Sequence, residues 1–237
     1  MLAEARSEVG LVRPNNEDAY LICLNRGLFV VADGMGGHEA GEVASRLAID
    51  EINRKVILPA CRVAPAQTLH QGIQAANQRV FEFAQTNPMC NGMGTTVTAA
   101  LLVDRTIYIA HVGDSRAYLV RPDGLRLLTQ DHSLVGELVR NGELTESAAM
   151  FHPFRHVLTR ALGTKSEIEV DSNEVFVQPG DLLLLCTDGL SNLINDREIH
   201  EIIRSAVDLK AAINELTKLS LERGGYDNIT IVIVQLD

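Results

Sequence analysis

Apolar runs and amphipathic stripes come in blocks along this chain. Leu28–Ala32 is a short β-branched run and reads as a buried strand. Over Glu39–Val56 the apolar residues Val43, Ala44, Leu47, Ala48, Ile52 and Val56 recur at helical spacing. Glu42, Arg46, Asp50, Glu51 and Arg54 fall mainly on the other face, so the stretch predicts an amphipathic helix. A second helix is expected over Thr68–Gln85, kept apart from the first by Pro59 and Pro65. From Thr95 to Thr129 the pattern changes to strands, TTVTAALLV, IYIAHVG, RAYLV and LRLLT. They are joined by DRT, GDS and RPDG turns, and connections this short predict an antiparallel meander.

His132–Gly163 is more polar, with a short helix expected at LVGELV, a capped turn at TESAA and another helix at HVLTRAL; it reads as a lid or insertion. Strand character returns at Leu182–Thr187. Helices follow near Asp196–Ala206 and Asp208–Glu222, and the chain closes on the strand ITIVIVQL. Because strands and helices are grouped, the pattern favours an α+β fold of antiparallel sheets sandwiched by helices over a parallel, Rossmann-type sheet.

Composition narrows this picture. At 237 residues and 46% hydrophobic content the expectation is one domain spanning residues 1–237. With 4% aromatics and no Trp, packing must come from branched aliphatics and alanine. The formal charge of -10, from 31 acidic against 21 basic residues, argues against a nucleic-acid partner, whose phosphates need Lys and Arg. No run reaches the roughly 20 apolar residues of a membrane span, and MLAEARSEVG lacks a basic region followed by an apolar one, so the expectation is a soluble, cytoplasmic protein without membrane insertion. Cys23, Cys61, Cys90 and Cys186 are too scattered for a zinc knuckle or disulfide framework. The residues at the Cys-x5-Arg spacing are Phe29, Gln67, Thr96 and Asn192, which excludes that phosphatase loop.

The chemistry-bearing pattern is aspartate at strand ends: VVADG at Asp33, AHVGDS at Asp114, LLCTDG at Asp188 and GGYDNITIVIV at Asp227. Each alone is an ordinary turn former. Together they would crowd negative charge at one sheet rim, a conflict that divalent cations resolve. Oxygen ligands without thiolates or paired imidazoles select hard ions such as Mg²⁺ or Mn²⁺. Near the N-terminus, Glu17 and Asp18 follow Arg13, whose planar fork suits a phosphate and equally suits a surface ion pair with either carboxylate.

The glycine-rich stretch VVADGMGGHEAGE does not fit the nucleotide-binding loops. Glu42 and Val43 stand where a P-loop needs Lys and a hydroxyl, and Glu39 stands where the dinucleotide pattern needs Gly. The zinc-helix pattern starts at His38 and Glu39 but reaches Glu42 where a second His is required. Met35 occupies the second acidic position of an Asp-x-Asp phosphoaspartate site, so Asp33 reads as a ligand rather than a nucleophile.

The ordered motifs RPNNEDA, VVADGMGGHEAGEVAS, MGTT, HVGDSRAYL, QDHS, HPFRHVLTRALG, LLLLCTDGL and GGYDNITIVIV cover essentially the whole chain. In this combination the sequence resembles the PPM family of metal-dependent protein serine/threonine phosphatases, the PP2C-like enzymes, in their compact bacterial form. The resemblance implies an α-β-β-α sandwich whose two antiparallel sheets carry a metal centre at one edge. It implies that Asp33 bridges two Mn²⁺ or Mg²⁺ ions, with the Gly34 carbonyl on the first and Asp188 and Asp227 completing the second. Asp18 matches a position acting mainly through metal-bound water, and Asp114 with Asp188 matches a more weakly held third-metal site. Arg13 matches the phosphate-binding arginine. Hydrolysis of phosphoserine and phosphothreonine would proceed by direct attack of the bridging hydroxide, without a phosphoenzyme.

The chain departs from the eukaryotic pattern in having Met35, not His, directly after Asp-Gly. His38 is the candidate for proton transfer or for orienting metal-bound water, with packing at the helix start as its alternative role. His111 reads as structural, and His70 and His200 as solvated. Thr95 and Thr96 are expected to support the carboxylates. His132–Arg155 corresponds to the flap beside the catalytic centre, with Ser133 and Arg155 as candidate substrate contacts. The implied partners are a membrane-anchored bacterial-type serine/threonine kinase and its phosphorylated substrates, with the phosphatase a monomer. A narrow phosphatase for an anti-sigma-type antagonist and a non-catalytic PPM-like binding module are the alternatives. The intact Asp33, Asp188 and Asp227 set counts against the second.

Overall fold

Strands that are apolar on both faces must be covered on both faces, and the fold does this by stacking two sheets between helices. The computed structural model describes residues 1–37, 40–56, 63–149 and 152–236. In chain order the elements are β1 (Leu2–Glu8), β2 (Asp18–Cys23), β3 (Leu28–Met35), α1 (Ala40–Lys55), α2 (Pro65–Thr86), β4 (Gly94–Thr95), β5 (Val97–Val103), β6 (Thr106–Val112), β7 (Arg116–Arg121) and β8 (Gly124–Leu127). They continue with α3 (Leu134–Arg140), α4 (Glu146–Ala149), β9 (Asp171–Phe176), β10 (Leu182–Cys186), α5 (Asp188–Ser191), α6 (Asp196–Ser205), α7 (Leu209–Glu222) and β11 (Ile229–Gln235). One sheet has the order β1-β11-β10-β7-β8 and the other β2-β3-β5-β6-β9, with β4 beside β3; every pairing is antiparallel.

Period-two alternation sends successive side chains into different layers. On β3, Leu28, Val30 and Ala32 pack against α1 and α2, while Phe29 and Val31 enter the layer between the sheets. On β11, Val232 and Val234 enter that same middle layer, while Ile229, Ile231 and Ile233 meet Leu190, Ile199, Ile203, Ile213 and Leu216 of α5, α6 and α7. The result is the expected α-β-β-α sandwich. No helix among the described residues is long and apolar enough to cross a membrane.

The structure corrects the sequence reading in four places. The expected meander over Thr95–Thr129 is split, because β5 and β6 form a hairpin in one sheet while β7 and β8 form a hairpin in the other. The GDS turn therefore crosses between layers, and Gly113 makes the crossing at φ +114°. The helix expected at HVLTRAL does not form. That segment is an extended return whose backbone bonds lie across the chain, from Leu134 N to Val157 O at 2.8 Å, from Thr159 N to His132 O at 2.8 Å and from Leu162 N to Thr95 O at 2.8 Å. Edge strands β1 and β9 were not legible in the pattern, since LAEARSE and DSNEVF are polar on their open sides. His200 is not merely solvated, because its Nε2 bonds the Arg121 carbonyl at the end of β7 at 2.8 Å.

Candidate active site

One end of each sheet and the layer crossing bring the aspartates to one rim. Asp18 lies directly opposite Asp33 in the β2–β3 register. Asp188 begins α5 immediately after β10, and Asp227 precedes β11, the partner of β10, so both fall at the same end of the other sheet. Asp114 sits on the crossing between β6 and β7.

Backbone clamps hold this rim. The Asp33 carbonyl accepts from Thr96 N at 2.8 Å and from Thr95 Oγ1 at 2.9 Å, and Asp33 N donates to Thr96 Oγ1 at 3.0 Å. The same Thr96 hydroxyl meets Ser115 Oγ at 2.7 Å, one residue past Asp114. The Thr95 and Thr96 hydroxyls are thus satisfied by backbone and by Ser115 rather than by the carboxylates, and they hold the Asp33 backbone in place. Gly34 must be glycine because a Cβ there would collide with the Gly41 carbonyl at the start of α1. Asn228 staples the N-terminal loop to this end of the fold. Its Oδ1 accepts from Glu17 N at 2.8 Å, and its Nδ2 donates to Val9 O and Asn15 O, each at 2.9 Å.

The carboxylates are strained electrostatically. Burial pushes Asp18 up to about 7, with hydrogen bonds from Thr230 and Thr187 opposing that rise and the charges of Asp188 and Asp227 adding to it. Burial raises Asp188 to about 6, with Asp227 adding to the rise. Asp33 stands well above the usual carboxylate range, first through burial, then through Asp18, Asp188, Asp114 and Asp227; Asp114 is raised by burial and by Asp188. Such shifts are what several anions sharing one poorly solvated place produce.

Arg13 bonds Asp227 Oδ2 at 2.7 Å, rather than Glu17 or Asp18. It opens with Asp33, Gly34, Asp114, Asp188 and Asp227 onto a cleft of about 780 Å³, which Arg155 and His156 also line. A separate cavity of about 430 Å³ reaches His111 and Asp171 but none of the rim aspartates. His111 is structural as expected: its Nδ1 meets Thr98 Oγ1 at 2.9 Å, and burial lowers its pKa to about 4.

Ser133, expected to touch substrate, is buried and accepts from Gly136 N at 3.2 Å as the N-cap of α3. His38 lies outside the described residues. Several residues at the site escaped sequence reasoning. Thr187 Oγ1 donates to Asp18 Oδ2 at 2.8 Å and accepts from Thr230 N at 3.0 Å. Tyr226 also lines this cleft; the GGYDN motif was the available signal.

The donor set suits a hard divalent cation. Asp18 Oδ1 and Asp188 Oδ1 are buried with no hydrogen-bond partner among the described residues, and an orphaned buried carboxylate oxygen is costly unless a cation or proton satisfies it. No three His, Cys, Asp or Glu side chains among the described residues converge tightly enough to enclose an ion by themselves. That spacing is compatible with Mg²⁺-like ions, which keep several waters and take few protein ligands.

A sandwich of two antiparallel sheets with an acidic, arginine-bearing rim defines the metal-dependent phosphatase class, and comparison with known proteins agrees. The family model for protein phosphatase 2C matches residues 7–229. The chain is 40% identical over 241 residues to the serine/threonine phosphatase stp of Listeria innocua, covering 99% of this chain and 96% of that protein. It is 35% identical over 238 residues to protein phosphatase PhpP of Streptococcus pneumoniae, covering 98% and 96%. Among solved structures, the Mycobacterium tuberculosis serine/threonine phosphatase PstP/Ppp superposes with a TM-score of 0.92 at 36% identity, over 100% of this chain and 98% of that one. The PstP catalytic domain in complex with two manganese ions gives 0.89 at 36% identity, over 99% and 97%. The chain belongs to the protein phosphatase 2C family.

Proposed function

We propose that this protein is a metal-dependent protein serine/threonine phosphatase that hydrolyses phosphoserine and phosphothreonine side chains. The observation carrying this reading is the convergence of Asp18, Asp33, Asp114, Asp188 and Asp227 on one rim, with two orphaned carboxylate oxygens and Arg13 bonded to Asp227 beside them. Asp33, the Gly34 carbonyl, Asp188 and Asp227 would hold two Mn²⁺ or Mg²⁺ ions. Asp18 would act through their water, and Asp114 with Asp188 would hold a weaker third ion. Such ions supply Lewis acidity and lower the pKa of water at neutral pH.

The protein's own groups do the rest. The Arg13 guanidinium orients the phosphate through paired N–H donors. Thr95 and Thr96 fix the Asp33 backbone, and Thr187 aims Asp18. His38 delivers a proton to the departing serine or threonine oxygen, a poor leaving group for which general acid catalysis is worth about 10²- to 10⁴-fold. The segment 132–155 would act as the flap beside the cleft, with Arg155, which lines it, contacting substrate. As its physiological setting we propose the cytoplasm, where a monomer of this chain opposes a serine/threonine kinase and dephosphorylates that kinase's substrates.

The test is phosphate release from a phosphothreonine peptide. It should require Mn²⁺ or Mg²⁺, stop on chelation, and be lost in Asp33→Ala and Asp188→Ala. Full turnover by either variant would sink the mechanism.

A further inference from the structure

The residues immediately preceding the members of the Arg13–Asp227 pair are large, apolar and exposed. Leu11 and Val12 lead into Arg13 and are 67% and 63% exposed, and Tyr226 leads into Asp227 and is 64% exposed. They come from opposite ends of the chain, yet one ledge holds them. Leu11 N donates to Gly225 O at 2.8 Å, and side chains at Gly10 or Gly225 would crowd this contact. Gly10 (φ +82°) lies against the Gly225 and Asp227 carbonyls, and Gly225 (φ +47°) lies against the Leu11 side chain. Gly224, at φ +121°, leaves the space in which the Tyr226 ring rests. Glycines at positive φ thus let the two loops approach each other closely.

We infer that Leu11, Val12 and Tyr226 form a ledge that reads the residues flanking the phosphorylated side chain, selecting protein segments with an apolar or aromatic neighbour beside the phosphoserine or phosphothreonine. The inference rests on the proposed phosphatase function and deepens it. Apolar side chains left in water at the mouth of a polar cleft mark a contact surface. Its occupant follows from continuity with the phosphate site. A phosphate held by the half-exposed Arg13 at the cleft mouth leaves the substrate backbone about one side-chain length away, and so near residues one and two positions from Arg13 and one from Asp227. Tyr226 itself lines the cleft together with Arg13 and Asp227, so the ledge is continuous with the site. This places part of the substrate selection outside the flap.

The experiment uses the Mn²⁺-loaded full chain and phosphothreonine peptides of equal length and charge, with Phe or Ser at each position flanking the phosphoresidue. Turnover and, with fluorescent peptides, binding anisotropy are both read. The wild type is expected to favour the best-placed Phe peptide by about tenfold in kcat/KM, through KM. Tyr226→Ser and the double variant Leu11→Ser/Val12→Ser should bring that ratio towards one. A ratio near one in the wild type, or one that both variants leave intact, overturns the ledge. Flank-dependent binding that the variants remove, without any turnover, supports the ledge and refutes the phosphatase reading instead. Concentration-dependent dimerisation lost in Tyr226→Ser, with no flank preference, would assign the surface to a second copy of the chain and overturn the inference.

Discussion

Arg13 and Asp227, 214 positions apart, meet at 2.7 Å across the mouth of the cleft. A half-exposed pair contributes little to stability, so its significance is positional: the guanidinium proposed to bind phosphate rests on a carboxylate proposed as a metal ligand. Arg13→Ala should raise KM for a phosphothreonine peptide about ten- to a hundredfold, as loss of a charge-assisted hydrogen bond implies. Mn²⁺ affinity by calorimetric titration should stay within about threefold of wild type or tighten, because the exposed pair is weak. Equal loss of metal binding would mean that Arg13 organises the carboxylates.

The crowding of aspartates predicts a stability effect that depends on pH. Asp33 has a folded-state pKa well above its ordinary 3.8. Between those two values the native protein holds a proton that the unfolded chain has released, so its stability falls as pH rises. Asn carries no such proton. In metal-free protein, Asp33→Asn should melt close to wild type near pH 4 and above it near pH 8, with Mn²⁺-dependent turnover abolished. Identical differences at both pH values would show that the carboxylates are not in conflict.

Thr187 is fully buried and satisfies Asp18 Oδ2 and Thr230 N with one hydroxyl. Thr187→Val keeps the shape but leaves Thr230 N unpaired and Asp18 with one bond fewer, and should cost about 1–3 kcal/mol in urea unfolding. Thr187→Ser should recover most of it. A neutral Thr187→Val would mean that Asp18 is held by other contacts.

Gly113 and His132 exchange two hydrogen bonds, His132 N to Gly113 O at 2.7 Å and Gly113 N to His132 Nδ1 at 3.1 Å. His132 Nε2 faces Asp171 at 3.1 Å, which fixes the neutral Nε2–H tautomer in ¹H–¹⁵N spectra at neutral pH. Burial also lowers the His132 pKa, so this residue's contribution to stability is lost as pH falls below the unfolded value of 6.5. His132→Ala should accelerate amide exchange at Gly113, Leu134 and Thr159 together, since the clasp ties the Asp114 turn to the segment entering α3. Exchange confined to residue 132 would show that the clasp is dispensable.

Patterning made the internal strands and long helices legible because each has a regular period or an unbroken apolar run. It failed at β1 and β9, where an open edge relaxes the apolar requirement, and at HVLTRAL, where helix-like spacing was overridden by backbone partners at Thr95, His132 and Leu134. Ser133 shows the same limit for function. A hydroxyl in a flap motif has equal chemistry as a substrate contact or a helix cap, and its burial made it a cap.

By itself, the sequence determined the inventory: aspartates at the ends of buried strands, glycines where the chain must turn, an arginine ahead of them, and no thiolate or imidazole cluster to compete for a metal. Those are local properties, set by side-chain chemistry and backbone freedom. The tertiary structure alone decided who meets whom. Pairing of β2 with β3 and of β10 with β11 put Asp18 opposite Asp33 and brought Asp188 to the same sheet end as Asp227. The crossing at Gly113 delivered Asp114 between the sheets. Closure of the two chain ends on one another set Arg13 against Asp227 and Leu11 beside Gly225. Such contacts span most of the chain, and no local period encodes them, because they depend on which apolar faces find cover when the two sheets stack.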